Sequence, residues 1–233
     1  IGALVEFAGT VVLFLHMDVL GDWTLAQVAF LYGTAELSLA LAQVLTKGFD
    51  GVPELVRRGD FDRVLVRPRN TLFQVLASDF AVRRLGRAFQ GALVLALGLS
   101  WLQLDWGLGQ WAFLAWTVTG GVVFFSGLFI IGGTFSFWTV ESLEVMNILT
   151  YGGVTLVSYP LNIFSEWMRN FFIFIVPLAF VNFYPALYLL KKADPFGLPD
   201  FMPFLAFPLC ASVLLAGLVF WHVGVRHYHS TGH

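Results

Sequence analysis

Two carboxylates stand inside apolar runs: Glu6, and Glu36 near the middle of the run 25–46. A charge at the centre of a membrane helix costs about 2.5–3.5 kcal/mol on insertion scales, so such a residue faces a bundle interior or a water-filled path. Glu36 is therefore a candidate for a translocation path, with a hydrogen-bonded or protonated packing role as the plainer alternative. For Glu6 the packing role is the expectation. Glu141 and Glu144 have the spacing of an acid and base pair, but beside an apolar run that spacing is more often a solvated helix end. His227, His229 and His233 in the tail are metal-capable types; a mobile terminus is the plainer reading. The chain has no G-x-x-x-x-G-K-[ST], H-E-x-x-H or G-x-S-x-G motif. Its single cysteine, Cys210, allows no intrachain disulfide. No catalytic residue, metal site or cofactor is expected in this chain.

The densest charge falls in residues 47–87: Lys47, Arg57, Arg58, Arg63, Arg67, Arg69, Arg83, Arg84 and Arg87, against Arg169, Lys191, Lys192 and Arg226 elsewhere. Phe49, Val52, Leu55 and Val56 recur at helical spacing, and Glu54 precedes Arg58 by four residues, the favourable order for an ion pair. Gly59 is the expected end of that helix. After Pro68, Asn70 or Thr71 caps a second helix whose Leu72, Val75, Leu76 and Phe80 share a face. The apolar face of Val52, Leu55 and Val56 beside Arg57, Arg58, Asp60, Asp62 and Arg63 offers a partner both burial and directional ion pairs.

The elements that position these residues follow from composition. The chain is 58% hydrophobic and 12% charged, with mean hydropathy +0.78; a soluble domain carries about 25% charged residues. Lipid is the expected solvent, and a net charge of -2 argues against a nucleic-acid partner. Six spans can be drawn, at 2–17, 25–46, 88–104, 111–138, 145–157 and 202–225. The first is short and has no signal-peptide features, so the chain is expected to begin part-way into a span, with an N-terminal piece missing. Basic residues near span ends stay cytoplasmic. Residues 47–87 are thus expected in the cytosol and the loop 105–110 outside, ringed by Trp101, Trp106 and Trp111. Residues 159–190 are apolar but broken by Pro160, Pro177 and Pro185. They read either as a seventh span or as a re-entrant pair of short helices. Charge at Lys191 and Lys192 mildly favours seven spans. Glycines at 120/121, 127, 132/133 and 152/153 read as helix-packing positions.

Four segments, ELVRRGDFDRVLVRP at 54–68, SYPLNIF at 158–164, VPLAFVNFYPALYLL at 176–190 and GVRHYHSTG at 224–232, together resemble the six-span permeases of ABC type-2 exporters. The resemblance covers nearly the whole chain. It implies an all-α membrane permease, one domain over 1–233, in the inner (plasma) membrane of a prokaryote-type cell. It further implies that 47–87 carries a coupling helix docking on a separate ATPase, and that 159–190 forms external re-entrant helices, giving six spans and an inward C-terminus. The coupling residues it singles out are Glu54, Leu55, Arg57, Arg58, Gly59, Asp60, Phe61, Asp62 and Arg63. Implied partners are two ATPase subunits, which would bind ATP and Mg, and a second permease, in membrane lipid. Two other classes compete: a secondary transporter using Glu36 as a proton site, for which no inverted repeat is visible, and an intramembrane enzyme using Glu36, Glu141 or Glu144.

Overall fold

A computed structural model describes residues 2–79, 82–139 and 148–229. The described residues are helices and turns, with one isolated bridge between Leu20 and Trp23 in place of any strand. The first helix, α1 (Gly2–Phe14), has 13 residues, short of the roughly 20 needed to cross a bilayer. Next, α2 (Leu25–Thr46) coincides with the apolar run read from the sequence, and Gln27 reaches back to the Thr24 amide at its start. At 22 residues it is about 33 Å long, matched to a hydrocarbon core.

Three short helices follow a 3₁₀ turn at Lys47–Gly51: α3 (Val52–Arg57), α4 (Phe61–Val66) and α5 (Thr71–Leu76). The spacing predicts two helices here. The first ends ahead of Gly59, as expected, the glycine's φ of 72° lying in the left-handed region where it pays no Cβ penalty; α4 is a further helix between the two. Asn70 caps α5 as expected, its Oδ1 accepting from the Leu72 and Phe73 amides at 2.9 and 3.3 Å. Phe80, assigned to the same face, lies outside the described residues.

The long spans resume with α6 (Leu85–Leu102) and α7 (Leu108–Phe135), and close with α11 (Ala206–His227). Among the described residues four helices are long and apolar enough to cross a membrane: Leu25–Arg57, Leu85–Leu102, Leu108–Phe135 and Met202–His227. Only part of the apolar run 145–157 is described, as a π-type turn at Ile148–Gly152 and the short helix α8 (Gly153–Val157). The proline-broken stretch contains α9 (Glu166–Asn170) and α10 (Phe183–Leu189). Its two arms, Glu166–Ile175 and Leu178–Leu189, meet at 74° and would make a fifth crossing if counted as one span. Pro177 sits at the bend, where its ring and missing N–H forbid a continuous helix.

Both flanks of this bent stretch are bonded to one turn. Asn162 donates to the Gly21 carbonyl, and the Lys192 ammonium donates to the Asp22 carbonyl at 2.9 Å. At its centre, fully buried Asn182 donates to the carbonyls of Leu31 in α2 and Val157 in α8, at 2.9 and 2.8 Å. The amide thus ties the bent stretch to α2 and satisfies the Val157 carbonyl at the end of α8.

Candidate functional site

The charged segment after α2 is a small packed unit seated on the end of the bundle. Phe49, Val52, Phe61 and Val75 are each at most 1% exposed and form a cluster with Ile130 of α7 and Trp221 of α11. Phe61 is the keystone. Its ring makes edge contacts with Phe137 at 5.0 Å, Trp221 at 6.0 Å and Tyr228 at 5.1 Å. Trp221 in turn packs edge-on against Phe49 at 5.1 Å and donates from Nε1 to Thr71 Oγ at 3.2 Å. Aromatic pairs of this geometry add about 0.5–1.5 kcal/mol each beyond their buried area.

Of the apolar face of Val52, Leu55 and Val56, Val52 is buried, while Leu55 and Val56 pack on the same cluster and stay half-buried. Phe61, like Val52, is unavailable at the surface. What remains outward is mostly charge, with Leu65, Val66 and Phe73 exposed as well. Arg57, Arg58 and Arg63 are exposed, Leu55, Gly59, Asp60 and Asp62 are half-buried, and Glu54 is partly open. Glu54 accepts from Arg57 through Nε and Nη2, both at 2.9 Å, and also pairs with Arg58. Hydrogen bonding from Arg57, reinforced by Arg58, holds the Glu54 carboxyl below the usual carboxylate range, and Glu54 in turn raises Arg57. Arg63 lies 3.5 Å from Asp60. A cleft of about 380 Å³ opens beside these groups, bounded by Lys47, Asp50, Glu54, Arg58, Asp60 and Asp79.

The second feature is a buried ion pair. Glu36 is 1% exposed, and Arg87 clamps it bidentately, Nε to Oε2 at 2.8 Å and Nη2 to Oε1 at 3.0 Å. Fork-to-fork pairing of this kind is the strong form of a charge-assisted bond. The Arg87 guanidinium also lies 5.9 Å from the Tyr151 ring centroid. The two helices approach closely enough for this because their seam is glycine. A Cβ on Gly33 would stand 2.5 Å from the Leu95 nitrogen, and one on Gly91 2.7 Å from the Leu37 nitrogen. Gly98 meets the Phe30 nitrogen in the same way at 2.9 Å. Nearer the 47–79 unit, Arg84 donates to Gln43 Oε1 at 2.5 Å. Arg84, just before α6, and Arg87, in its first turn, therefore hold α2 directly.

Arg87 was read as one of the cytoplasmic arginines, and its pairing went unrecognised. The available signal was the mid-span carboxylate itself, which needs a counter-charge within reach. Glu6 lies on the open face of α1, where the Tyr32 hydroxyl donates to the Ala3 carbonyl at 2.6 Å and lies 3.4 Å from the Glu6 carboxylate. His227 stacks on Trp138 at 5.2 Å and neighbours His229. Among the described residues no group of three metal-ligating side chains forms. Glu141, Glu144 and His233 lie outside the described residues.

Comparison with known proteins adds one match. The family model described as ABC-2 family transporter protein covers residues 1–232. No curated protein and no solved structure matches. A family match over the full bundle, with several helices fit to cross a membrane, agrees with the four-segment resemblance. This chain is a member of the ABC-2 transporter family, an ABC-2 type permease and a multi-pass membrane protein.

Proposed function

We propose that the chain is the transmembrane subunit of an ATP-driven exporter, working with two separate ATPase subunits that bind ATP and Mg and with a second permease of the same or related sequence. The observation that carries this is the way the 47–79 unit is built. Its apolar side is locked onto α7 and α11 through Phe61 and Trp221, while its charged side stays open. A load applied to Arg57, Arg58 and Asp60 would reach the spans through rigid aromatic packing. The Glu36–Arg87 and Arg84–Gln43 bonds supply a second route, into α2. In this scheme Glu36 is a positioning residue at the wall of the path, held by Arg87.

The six-span, inward-C-terminus topology fits the same picture. Tyr228, just past the end of α11, packs on Phe61 of the coupling unit, which supports a tail on the coupling side. The anchoring of Asn162 and Lys192 on one turn supports a bent stretch that enters and returns on the far side. A helix pair resting on anionic lipid would explain the arginines differently. The two are separated by Arg58→Glu and Asp60→Arg. Surface anchoring loses about 1 kcal/mol per basic residue, whereas a docked interface loses typically 2–5 kcal/mol when like charges are forced together. Both variants are expected to insert normally but to release the ATPase or uncouple its hydrolysis from substrate. Wild-type co-purification and wild-type stimulated hydrolysis in both variants would sink the docking reading.

A further inference from the structure

At the end of the bundle opposite the coupling unit, a cleft of about 370 Å³ lies between α10, the start of α7 and the chain entering α11. Its charged groups can be sorted by what already holds them. Lys192 is bonded to the Asp22 carbonyl and lies 5.1 Å from the Trp23 ring centroid. The Asp194 carboxylate accepts from the amides of Phe196 and Leu198, at 3.0 and 2.7 Å. Lys191 and Asp200 remain, both exposed and neither with a side-chain hydrogen bond or ion pair among the described residues.

Two further observations point to a ligand. Tyr184 lines the cleft, is 1% exposed, and its buried hydroxyl has no hydrogen-bond partner. A buried orphan hydroxyl is rare and calls for an explanation. Lys191 occupies the left-handed position that ends α10, with φ 53°, and the Lys192 amide donates to the Leu187 carbonyl at 2.9 Å to close the motif. Glycine fits that position without strain. A lysine there accepts strain to put an ammonium at the rim, and such outliers concentrate at ligand sites.

We propose that this cleft binds the head of a zwitterionic phosphodiester amphiphile. The Lys191 ammonium and the Tyr184 hydroxyl take the phosphate, and the Asp200 carboxylate takes the cationic group. The Tyr188 ring, 43% exposed beside them, offers a face to a quaternary ammonium. Leu187 and Met202 line the remainder and receive the first carbons of the tail. The volume suits a headgroup with short tails, at the small end of ligand pockets, and leaves longer chains to the surrounding lipid.

The test is calorimetric titration of the full chain, purified in a maltoside detergent, with dihexanoylphosphatidylcholine below its micelle concentration. Dihexanoylglycerol, with the same tails and no charged head, is the control. The phosphocholine compound is expected to bind at least about tenfold more tightly than the control. Lys191→Gln and Asp200→Asn should each weaken it about fivefold, and Tyr184→Phe, which conserves volume, by a similar factor. Thermal unfolding of each variant at the wild-type temperature certifies the fold. Equal affinity for the two compounds, no binding heat, or three variants indistinguishable from wild type would overturn the proposal. Phospholipid that co-purifies with wild type and is lost in Lys191→Gln identifies a resident membrane lipid. Stimulation of ATP hydrolysis in the reconstituted complex by the short-chain compound identifies exported cargo. The binding arms need no ATPase, so their failure leaves the coupling proposal standing.

Discussion

Glu36 and Arg87 show how little of a buried polar group's behaviour is written in its own position. Removing one partner of such a pair typically costs about 3–5 kcal/mol because the other charge is left unpaired, whereas replacing both with apolar residues is often neutral or stabilising. Arg87 keeps 26% of its side chain accessible, so Glu36→Gln should fall toward the lower end of that range. The double change Glu36→Leu with Arg87→Leu should recover most of the loss, read as denaturation midpoints in detergent. A double variant as unstable as the two singles combined would mean that the ions do more than neutralise each other. Glu54 presents the opposite case, a partly open carboxylate whose partners Arg57 and Arg58 follow it by three and four residues. Its pKa is depressed in the folded chain by Arg57 and Arg58. The stabilisation is therefore complete above the ordinary carboxylate pKa and is lost as pH falls through the lowered value. Carbon-detected titration should give Glu54 a midpoint that rises in Arg57→Gln; an unchanged midpoint would refute the pairing. The Glu54 pairing was legible from the four-residue spacing to Arg58. The Glu36 pairing was not, since its partner lies 51 residues away and was counted with the loop arginines.

At the scale of helices, the long ones were legible and the short ones only in part. A run such as 25–46 has no alternative to a helix in lipid, because every backbone group must be bonded within the segment. The 47–79 unit is harder: α3, α4 and α5 have six residues each, too few to be stable alone, so tertiary packing decides their breaks. Phe61→Ala should cost about 3–5 kcal/mol, as for other buried aromatics. It should also free the unit from Trp221 and Tyr228, seen as faster proteolysis within 47–79 while the spans stay protected. Proteolysis at the wild-type rate would deny Phe61 its anchoring role. The α2–α6 seam gives a graded test within one helix. Gly86 of α6 has nothing within 4 Å of an added Cβ, so Gly86→Ala should stabilise by about 0.5–1 kcal/mol. Gly91→Leu drives a side chain into the Glu36–Leu37 backbone and should destabilise by about 1–3 kcal/mol or more. It should also weaken the Glu36–Arg87 contact. Equal thermal midpoints for the two variants would contradict the seam.

For the whole molecule, topology is the quantity to measure. Arg57→Cys and Leu108→Cys, in a Cys210→Ala background, are expected to label from opposite sides of intact cells, with Lys191→Cys on the side of Leu108→Cys. Labelling of Arg57→Cys and Leu108→Cys by one impermeant reagent from outside would reject the arrangement. Hydrophobicity and the long apolar runs were enough to establish a helical membrane protein. These depend on composition and on short-range backbone chemistry, both of which are local. The seating of the 47–79 unit on α7 and α11, the burial of Val52 and Phe61 within it and the capture of Glu36 by Arg87 were decided by the tertiary structure. Each joins residues far apart in the chain, and which distant groups meet depends on how the glycine seams and aromatic contacts let the helices pack.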